Sequence, residues 1–334
     1  MNHIIEGKPS PALAARFITV DEESVGQRLD NFLMRHLKGV PKTHVYRIIR
    51  SGEVRVNKGR TSADARVQAG DQVRLPPLRV SEKIEEKAQQ AVPGREFPIL
   101  FEDEHLIALD KPAGVAVHGG SGVSFGVIEQ LRRARPQAPL LELVHRLDRE
   151  TSGILLVAKK RSALKHLQDQ FRERETGKTY LALVQGAWVG KHKVIDLPLH
   201  KYLQADGERR VRVTTPDDPD AMRAITLVQL RQNLPARPAQ GLPAMALLEV
   251  TIKTGRTHQI RVHLASQGHP IAGDDKYGDF DLNRRLPKQG LKRMFLHAWR
   301  LQFTHPASGE RLELRAELPP ELATFILPPA VTSP

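Results

Sequence analysis

The chain has 334 residues, enough for about two domains, and 40% of them are hydrophobic, enough for a real core. It has no cysteine, which excludes a disulfide framework and a thiolate metal site. Fifty-one Lys/Arg against 38 Asp/Glu leave a net charge of +13, which favours a polyanionic partner such as nucleic acid.

No apolar run reaches the roughly 18 residues of a membrane span, and the first 16 residues lack the apolar centre of a signal peptide. A cytoplasmic protein without membrane association is expected, with residues 1–16 disordered. The charge is unevenly spread: residues 26–79 hold twelve Lys/Arg and four Asp/Glu, a net +8. That concentration defines a basic module over 17–79. In it, QRLDNFLMRHL places Leu29, Phe32, Leu33 and Leu37 on one helical face. Pro41 opens a second helix that turns Val45, Ile48 and Ile49 inward and leaves Lys42, His44, Arg47 and Arg50 on the other side. Gly52 ends it. EVRVN reads as a strand, Lys58-Gly59 as a turn and AGDQVRL as a closing strand. A basic helix beside a short sheet suits phosphate contacts, with Arg28, Lys42, His44, Arg47, Arg50, Arg55 and Lys58 as the candidates. An ordinary solvated helix face is the alternative.

Residues 80–96 are charged, poor in apolar residues and broken by Pro93-Gly94, and read as a linker. A second domain is expected over 97–327, with a frayed tail at 328–334. It opens with two short strands around a turn at Glu102–Glu104, ending at Pro112-Ala-Gly114. The following loop contains Gly122-Val-Ser124-Phe-Gly126, which fits the GxSxG pattern of serine hydrolases. No buried strand precedes it, so it reads better as a flexible loop into a helix over 124–134, whose Arg132, Arg133 and Arg135 can reach nucleic acid.

The stretch LVHRLDRETSGILLVAKK organises the rest. An apolar lead-in runs into a polar knot, HRLDRETSG, and then into ILLVA, apolar enough for a buried strand. Asp148 therefore sits in a turn between two extended segments, with Arg146, Arg149 and Glu150 close in sequence. Taken alone, these residues fit a salt-bridged surface turn. They also fit a carboxylate kept ionised by neighbouring arginines and able to act as a nucleophile.

Further on, Ser162 caps a helix with Leu164, Leu167 and Phe171 on one side, and KTYLALVQG is a strand carrying Tyr180. Residues 191–231 read as short strands, and the Pro-rich 232–244 as an inserted loop. Residues 245–253 form an apolar strand. Thr257 caps a helix from His258 to Gln267 that Gly268 stops, buried on more than one side. His258 and His263 lie five apart with no HExxH arrangement, so they read as structural histidines rather than metal ligands. Strands over 294–303 and 311–316 close the domain. Without βαβ alternation, the fold reads as α+β with a mixed, mainly antiparallel sheet.

HRLDRETSG resembles the catalytic motif of the large pseudouridine synthase family that includes the ribosomal large-subunit enzymes. RLDNFL, VYRIIRSGEVRVNKGR and AGDQVRL, in that order, resemble an S4 RNA-binding domain. The resemblance spans about residues 17–327. GEVRVNKGR, HGGSGVSFGVIE and LELVHRLD are most similar to one subgroup of the ribosomal large-subunit enzymes. It implies an isomerase that converts uridines of 23S ribosomal RNA to pseudouridine as a monomer. Asp148 would be the catalytic residue, Arg261 its ion-pair partner and Tyr180 a platform for the target base. Arg146 and Arg149 would contact RNA, and KPAGVAVHGG would be a structural motif near the site. The reaction is a net isomerisation, so neither cofactor nor metal is implied, and no P-loop or GxGxxG occurs. A non-catalytic S4-type RNA-binding or ribosome-assembly factor would explain the charge equally well, but not HRLDRETSG together with Tyr180 and Arg261.

Overall fold

A computed structural model describes residues 15–37, 40, 42–77, 92–119, 125–204 and 208–327. The chain divides into two compact units, Met1–Pro93 and Gly94–Pro334. Most of the expected linker, the expected tail and the GxSxG stretch lie outside the described residues.

In the first unit, β1 (Arg16–Thr19), β2 (Arg55–Val56) and β3 (Gln72–Leu75) form a three-stranded sheet in the order β1-β3-β2. Helices α1 (Leu29–His36) and α2 (Lys42–Arg50) supply its core. Leu29, Phe32, Leu33, Leu37, Val45, Ile48 and Ile49 are all buried there, as the helical periodicity requires. The turn after β2, closed between Val56 and Gly59, uses Asn57 and Lys58, both left-handed at φ 49° and 69°. Strand β1 escapes sequence reading because it is a mostly exposed four-residue segment with no alternation.

The second unit is built on a ten-stranded sheet. Its first strands are β4 (Ile99–Glu102), β5 (Leu106–Lys111), β6 (Glu142–Leu143), β7 (Ser152–Ala158), β8 (Gly177–Gln185) and β9 (His192–Asp196). Strands β10 (Leu199–Leu203) and β11 (Arg209–Val213) form a separate hairpin. The sheet continues with β12 (Ile225–Leu234), β13 (Met245–Ile252), β14 (Leu296–Thr304) and β15 (Arg311–Arg315). Its order is β4-β5-β7-β14-β8-β13-β12-β9, with β6 on β7 and β15 on β14. Among the described residues, β7 and β14 are its parallel pair. The sheet is mixed and mainly antiparallel, and the fold is α+β.

Helices cover both faces. On one face of β5 and β7, Leu109, Leu155 and Val157 pack with Val127, Ile128 and Leu131 of α3 (Val127–Ala134). On the other, Leu106, Ile154 and Leu156 pack with Leu164 and Leu167 of α4 (Arg161–Glu173). This two-sided cover explains why ILLVA is continuously apolar rather than alternating. Along β8 and β13, Ala182, Leu248 and Val250 meet Ile260 and Leu264 of α5 (Gln259–Ser266). The opposite face carries Leu183 and Leu247 against Leu282 of α6 (Phe280–Arg285), and Leu322 and Phe325 of α7 (Pro320–Ile326). No described helix is long and apolar enough to cross a membrane.

Several expectations change. Lys160, not Ser162, is the N-cap of α4, and it makes no side-chain cap bond. His258, in a left-handed conformation at φ 53°, takes the place expected of Thr257 at α5. There Gln259 Oε1 accepts from Thr254 Oγ1 at 2.7 Å and from Arg256 N at 3.1 Å, and organises that end. Residues 232–234 are not loop but the end of β12, pairing with 245–247 of β13. Residues 94–96 belong to the second unit: Arg95 N donates to Gln130 O, and Glu96 pairs with Arg135.

The β7–β14 seam depends on Gly153. Its φ is +106°, and a Cβ there would lie 2.3 Å from Ala298 O. Beside it, Ser152 Oγ and His297 Nδ1 are 2.8 Å apart, and His297 Nε2 faces Ala316 O at 2.9 Å. A carbonyl can only accept, so Nε2 carries the proton and Nδ1 accepts from the hydroxyl. Arg293 Nη2 in turn donates to Ser152 Oγ at 2.6 Å. Burial pushes His297 down to about 4 and keeps it neutral.

Two predictions follow from this seam. Gly153→Ala combines a strained φ with overpacking and should destabilise the second unit by roughly 3 kcal/mol in denaturant unfolding. Gly190→Ala, at φ +82° with open space around it, should cost only about 1 kcal/mol. Because the folded pKa of His297 lies below the ordinary value near 6.5, its contribution is intact above that value. It is lost as pH falls from 6.5 towards 4, a term of roughly 3 kcal/mol. His297→Gln should flatten the acid limb of stability against pH; an unchanged limb would show that other groups control it.

Candidate active site

The sheet register assembles the site. Gly153 of β7 pairs with Ala298 of β14, and Ala298 pairs with Tyr180 of β8. The turn carrying Asp148 joins β6 to β7 just before that row, closed by Thr151 N donating to Asp148 O at 3.1 Å. Asp148, Tyr180 and Arg261 all line one cleft of about 460 Å³, together with His145, Arg146, Thr151, Phe171, Lys178 and His258 among others.

Arg261 is 3% exposed. Its Nε and Nη2 donate to the two carboxylate oxygens of Asp274 at 2.7 and 2.6 Å, a buried fork-to-fork pair. Nη2 also reaches Asp275 at 3.1 Å. The remaining Nη1 is aimed at Asp148 Oδ2, 3.4 Å away. Despite its burial, the guanidinium is held above its ordinary pKa by Asp274 and Asp148, and stays charged. Arg261 thus meets Asp148, but its tightest partner is Asp274.

His258 approaches from the N-terminus of α5, with Nε2 3.9 Å from Asp148 Oδ2 and Nδ1 2.8 Å from Tyr277 Oη. Tyr277 Oη accepts from Val211 N at 3.0 Å. The tautomer that satisfies every hydrogen has the phenol donating to Nδ1, which leaves Nε2–H towards Asp148. Burial lowers the His258 pKa, partly opposed by Asp148. Burial, with Asp148 adding to it, raises the Tyr180 phenol well above its usual value, so its hydroxyl is neutral at neutral pH.

Lys111, wholly buried, ties the KPAG segment to the Asp148 turn. Its Nζ donates to Pro112 O and Val115 O, both at 2.8 Å, and to Arg149 O at 3.1 Å. Burial, above all, brings its pKa down to about 7. His145 stacks on Phe171, with centroids 4.6 Å apart, and its Nε2 accepts from Leu156 N at 3.1 Å.

The other expected residues divide. Arg146 is exposed at the cleft. Arg149 pairs with Glu150 and does not line it. Neither is ion-paired with Asp148; Arg261 takes that place, with the neutral His258 ring beside it. Two of the three α3-end arginines are structural. Arg132 holds Leu141 O and Glu142, and Arg135 holds Glu96 and Glu102. His263 is structural as expected, bonded to Thr226 Oγ1 and Leu197 O. In the first unit, Arg50 and Lys58 are exposed and Arg55 is half-buried. Exposed Arg28 is bound to buried Asp30, which also accepts from Tyr46 Oη at 3.0 Å. Arg47 bridges His44 and Glu53. The Lys42 side chain lies outside the described residues.

Sequence reasoning missed Lys111, His258, Asp274 and Tyr277 as members of this constellation. The signals were present: a lysine ending an apolar strand at KPAG, and two adjacent acids in GDDKYGD.

The family model described as RNA pseudouridylate synthase matches residues 105–266, and the S4 domain model matches 27–73. The chain is 51% identical to ribosomal large subunit pseudouridine synthase C of Pasteurella multocida, covering 94% of this chain and 93% of that protein. It is 49% identical to the Haemophilus influenzae protein of the same name, covering 94% of each. The structure of human RNA pseudouridylate synthase domain containing 1 superposes with a TM-score of 0.56 at 26% identity, covering 70% of this chain and 89% of that one. The likeness over nearly the whole chain, on a fold that sets an aspartate against a buried arginine in one cleft, places the chain in the RNA pseudouridylate synthase family.

Proposed function

We propose that the protein isomerises uridines of large-subunit ribosomal RNA to pseudouridine, acting as a monomer, with Asp148 as the catalytic group. The observation that carries this reading is the convergence of Asp148, Arg261 and Tyr180 in one cleft. The names of the similar proteins support the large ribosomal subunit as the source of the RNA.

In the reaction the N1–C1′ bond breaks, the uracil turns, and C5 joins C1′. The proton lost from C5 is balanced by one gained at N1, so nothing is oxidised or imported. Arg261, fixed by Asp274, holds its positive charge beside the Asp148 carboxylate and aims it. Asp148 then acts as the nucleophile: its carboxylate bonds to C1′ as the N1–C1′ bond breaks, and that ester bond breaks in turn as C5 joins C1′. Tyr180 stacks on the extruded base. Its neutral phenol is poorly suited to take the C5 proton as a phenolate, which favours the stacking role. The S4 domain and the exposed Arg50, Lys58 and Arg146 supply phosphate contacts that offset the cost of unstacking the uridine. A non-catalytic RNA-binding factor would have no use for a buried arginine aimed at a cleft carboxylate.

Asp148→Asn keeps the shape and removes the charge. RNA affinity should stay within a few-fold, while pseudouridine formation, read by pseudouridine-specific chemical labelling, falls by at least about 10³-fold. A variant that still makes pseudouridine at the wild-type rate would sink the assignment. Lys111 acts one step back, as a positioning residue. Lys111→Met leaves three partly buried carbonyls without their donor, at roughly 1 kcal/mol each, and lets the Asp148 turn shift. A displacement of about 1 Å is enough for a 10²-fold loss in kcat with little change in KM. A drop in thermal stability with kcat intact would mean that Lys111 serves the fold alone.

A further inference from the structure

Lys178 is only 8% exposed. Among the described residues its side chain has no carboxylate partner and no hydrogen-bond acceptor. Its Nζ lies 5.4 Å over the Phe171 ring. The charged groups that bear on it most are Arg174 and Lys253, both of like sign, and burial with these neighbours lowers its pKa. A desolvated ammonium facing other cations is unfavourable unless an anion arrives. The other buried lysine, Lys111, shows the contrast, with three carbonyls as acceptors.

A second anomaly adjoins it. Arg174 ends α4 in the left-handed conformation, φ 66° and ψ 28°, where glycine is favoured. Its guanidinium is exposed and has no ion pair among the described residues. Arg174 and Lys178 line the same cleft as Asp148. Of the nearby cations, Arg172 pairs with Asp169 and Arg256 Nε donates to Arg223 O, while Lys253 and Arg146 have no ion pair among the described residues. Lys178 and Tyr180 are two apart on β8, so they share a face about 7 Å apart along the strand. That is roughly the reach from a stacked base to a phosphate of its own strand.

We propose that Lys178 and Arg174 form a subsite for one backbone phosphate of the RNA, next to the uridine delivered to Asp148. The subsite rests on the function proposed above, because it takes Tyr180 as the base platform. It positions the nucleotide by its backbone and leaves the choice of base to the rest of the cleft. The unpaired charge of Lys178 is neutralised only when RNA is bound, so the contact contributes to affinity without strengthening the empty protein.

The test uses full-length protein and a uridine-containing fragment of large-subunit ribosomal RNA carrying single neutral methylphosphonate linkages around the target. For the wild type, one linkage should weaken binding about tenfold. For Lys178→Met, binding to the unmodified RNA should be about tenfold weaker, and that same linkage should then cost nothing more. The slope of log Kd against log salt should fall by about 0.7, the contribution of one single-strand phosphate. Lys178→Arg should restore part of the affinity. Arg174→Gly should bind more weakly while its Tm holds or rises, since glycine suits the left-handed position. The proposal is overturned if Lys178→Met binds normally, if its effect simply adds to that of every neutral linkage, or if its only effect is a lower Tm. These are binding readouts. Should Asp148→Asn retain activity, the catalytic assignment would fall while the phosphate subsite remained testable.

Discussion

The cleft around Asp148 depends on how one guanidinium is divided. Arg261 gives two nitrogens to Asp274 and leaves the third nitrogen for Asp148. A buried arginine facing a single carboxylate would leave donors unsatisfied at a cost. Here the second acid absorbs that demand, and fixes the fork so that its free arm points in one direction. Asp274 is in turn anchored by Lys276 N and Tyr277 N, which donate to its Oδ1 at 2.8 and 3.1 Å. Asp148 can remain partly open to the cleft because its electrostatic partner is held from behind.

That arrangement needs helix α5 to be buried nearly all round, and the sequence says so in an unusual way. Gln259 to Leu264 are all buried, polar and apolar alike. An amphipathic stripe would leave one side in water. Instead each polar member has a fixed partner: Gln259 with Thr254 and Thr226, His263 with Thr226 and Leu197, and Arg261 with the acids. The helix is a rigid bracket between the sheet and the cleft.

The fold was largely legible wherever burial produced a period. The two helices of the first unit, the strands flanking HRLDRETSG, and β8 and β13 all follow from their apolar patterns. What escaped did so for physical reasons. β1 is a mostly exposed edge strand. The starts of α4 and α5 are not capped by the hydroxyls nearest to them, because Lys160 and a left-handed His258 take those positions. Asp148 stood out because its turn is chemically dense, and Arg261 and Tyr180 became candidates through the family resemblance. Lys111 and Asp274 did not, because their importance lies in which distant backbone or side chain they meet, and spacing carries no such information. Arg132 and Arg135 show the converse: a basic helix end reads as a nucleic-acid contact, yet both are tied to acids and carbonyls within the unit.

The row Gly153–Ala298–Tyr180 joins three segments far apart in the chain, and Ser152 and His297, which border it, are separated by 145 positions. Contacts of such range form slowly, because a long loop must close before they are rewarded. A nascent polypeptide that has not yet exposed β14 cannot set Tyr180 beside the Asp148 turn. The cleft therefore cannot assemble before β14 is available, whereas the sheet and helices of the first unit close within residues 16–75.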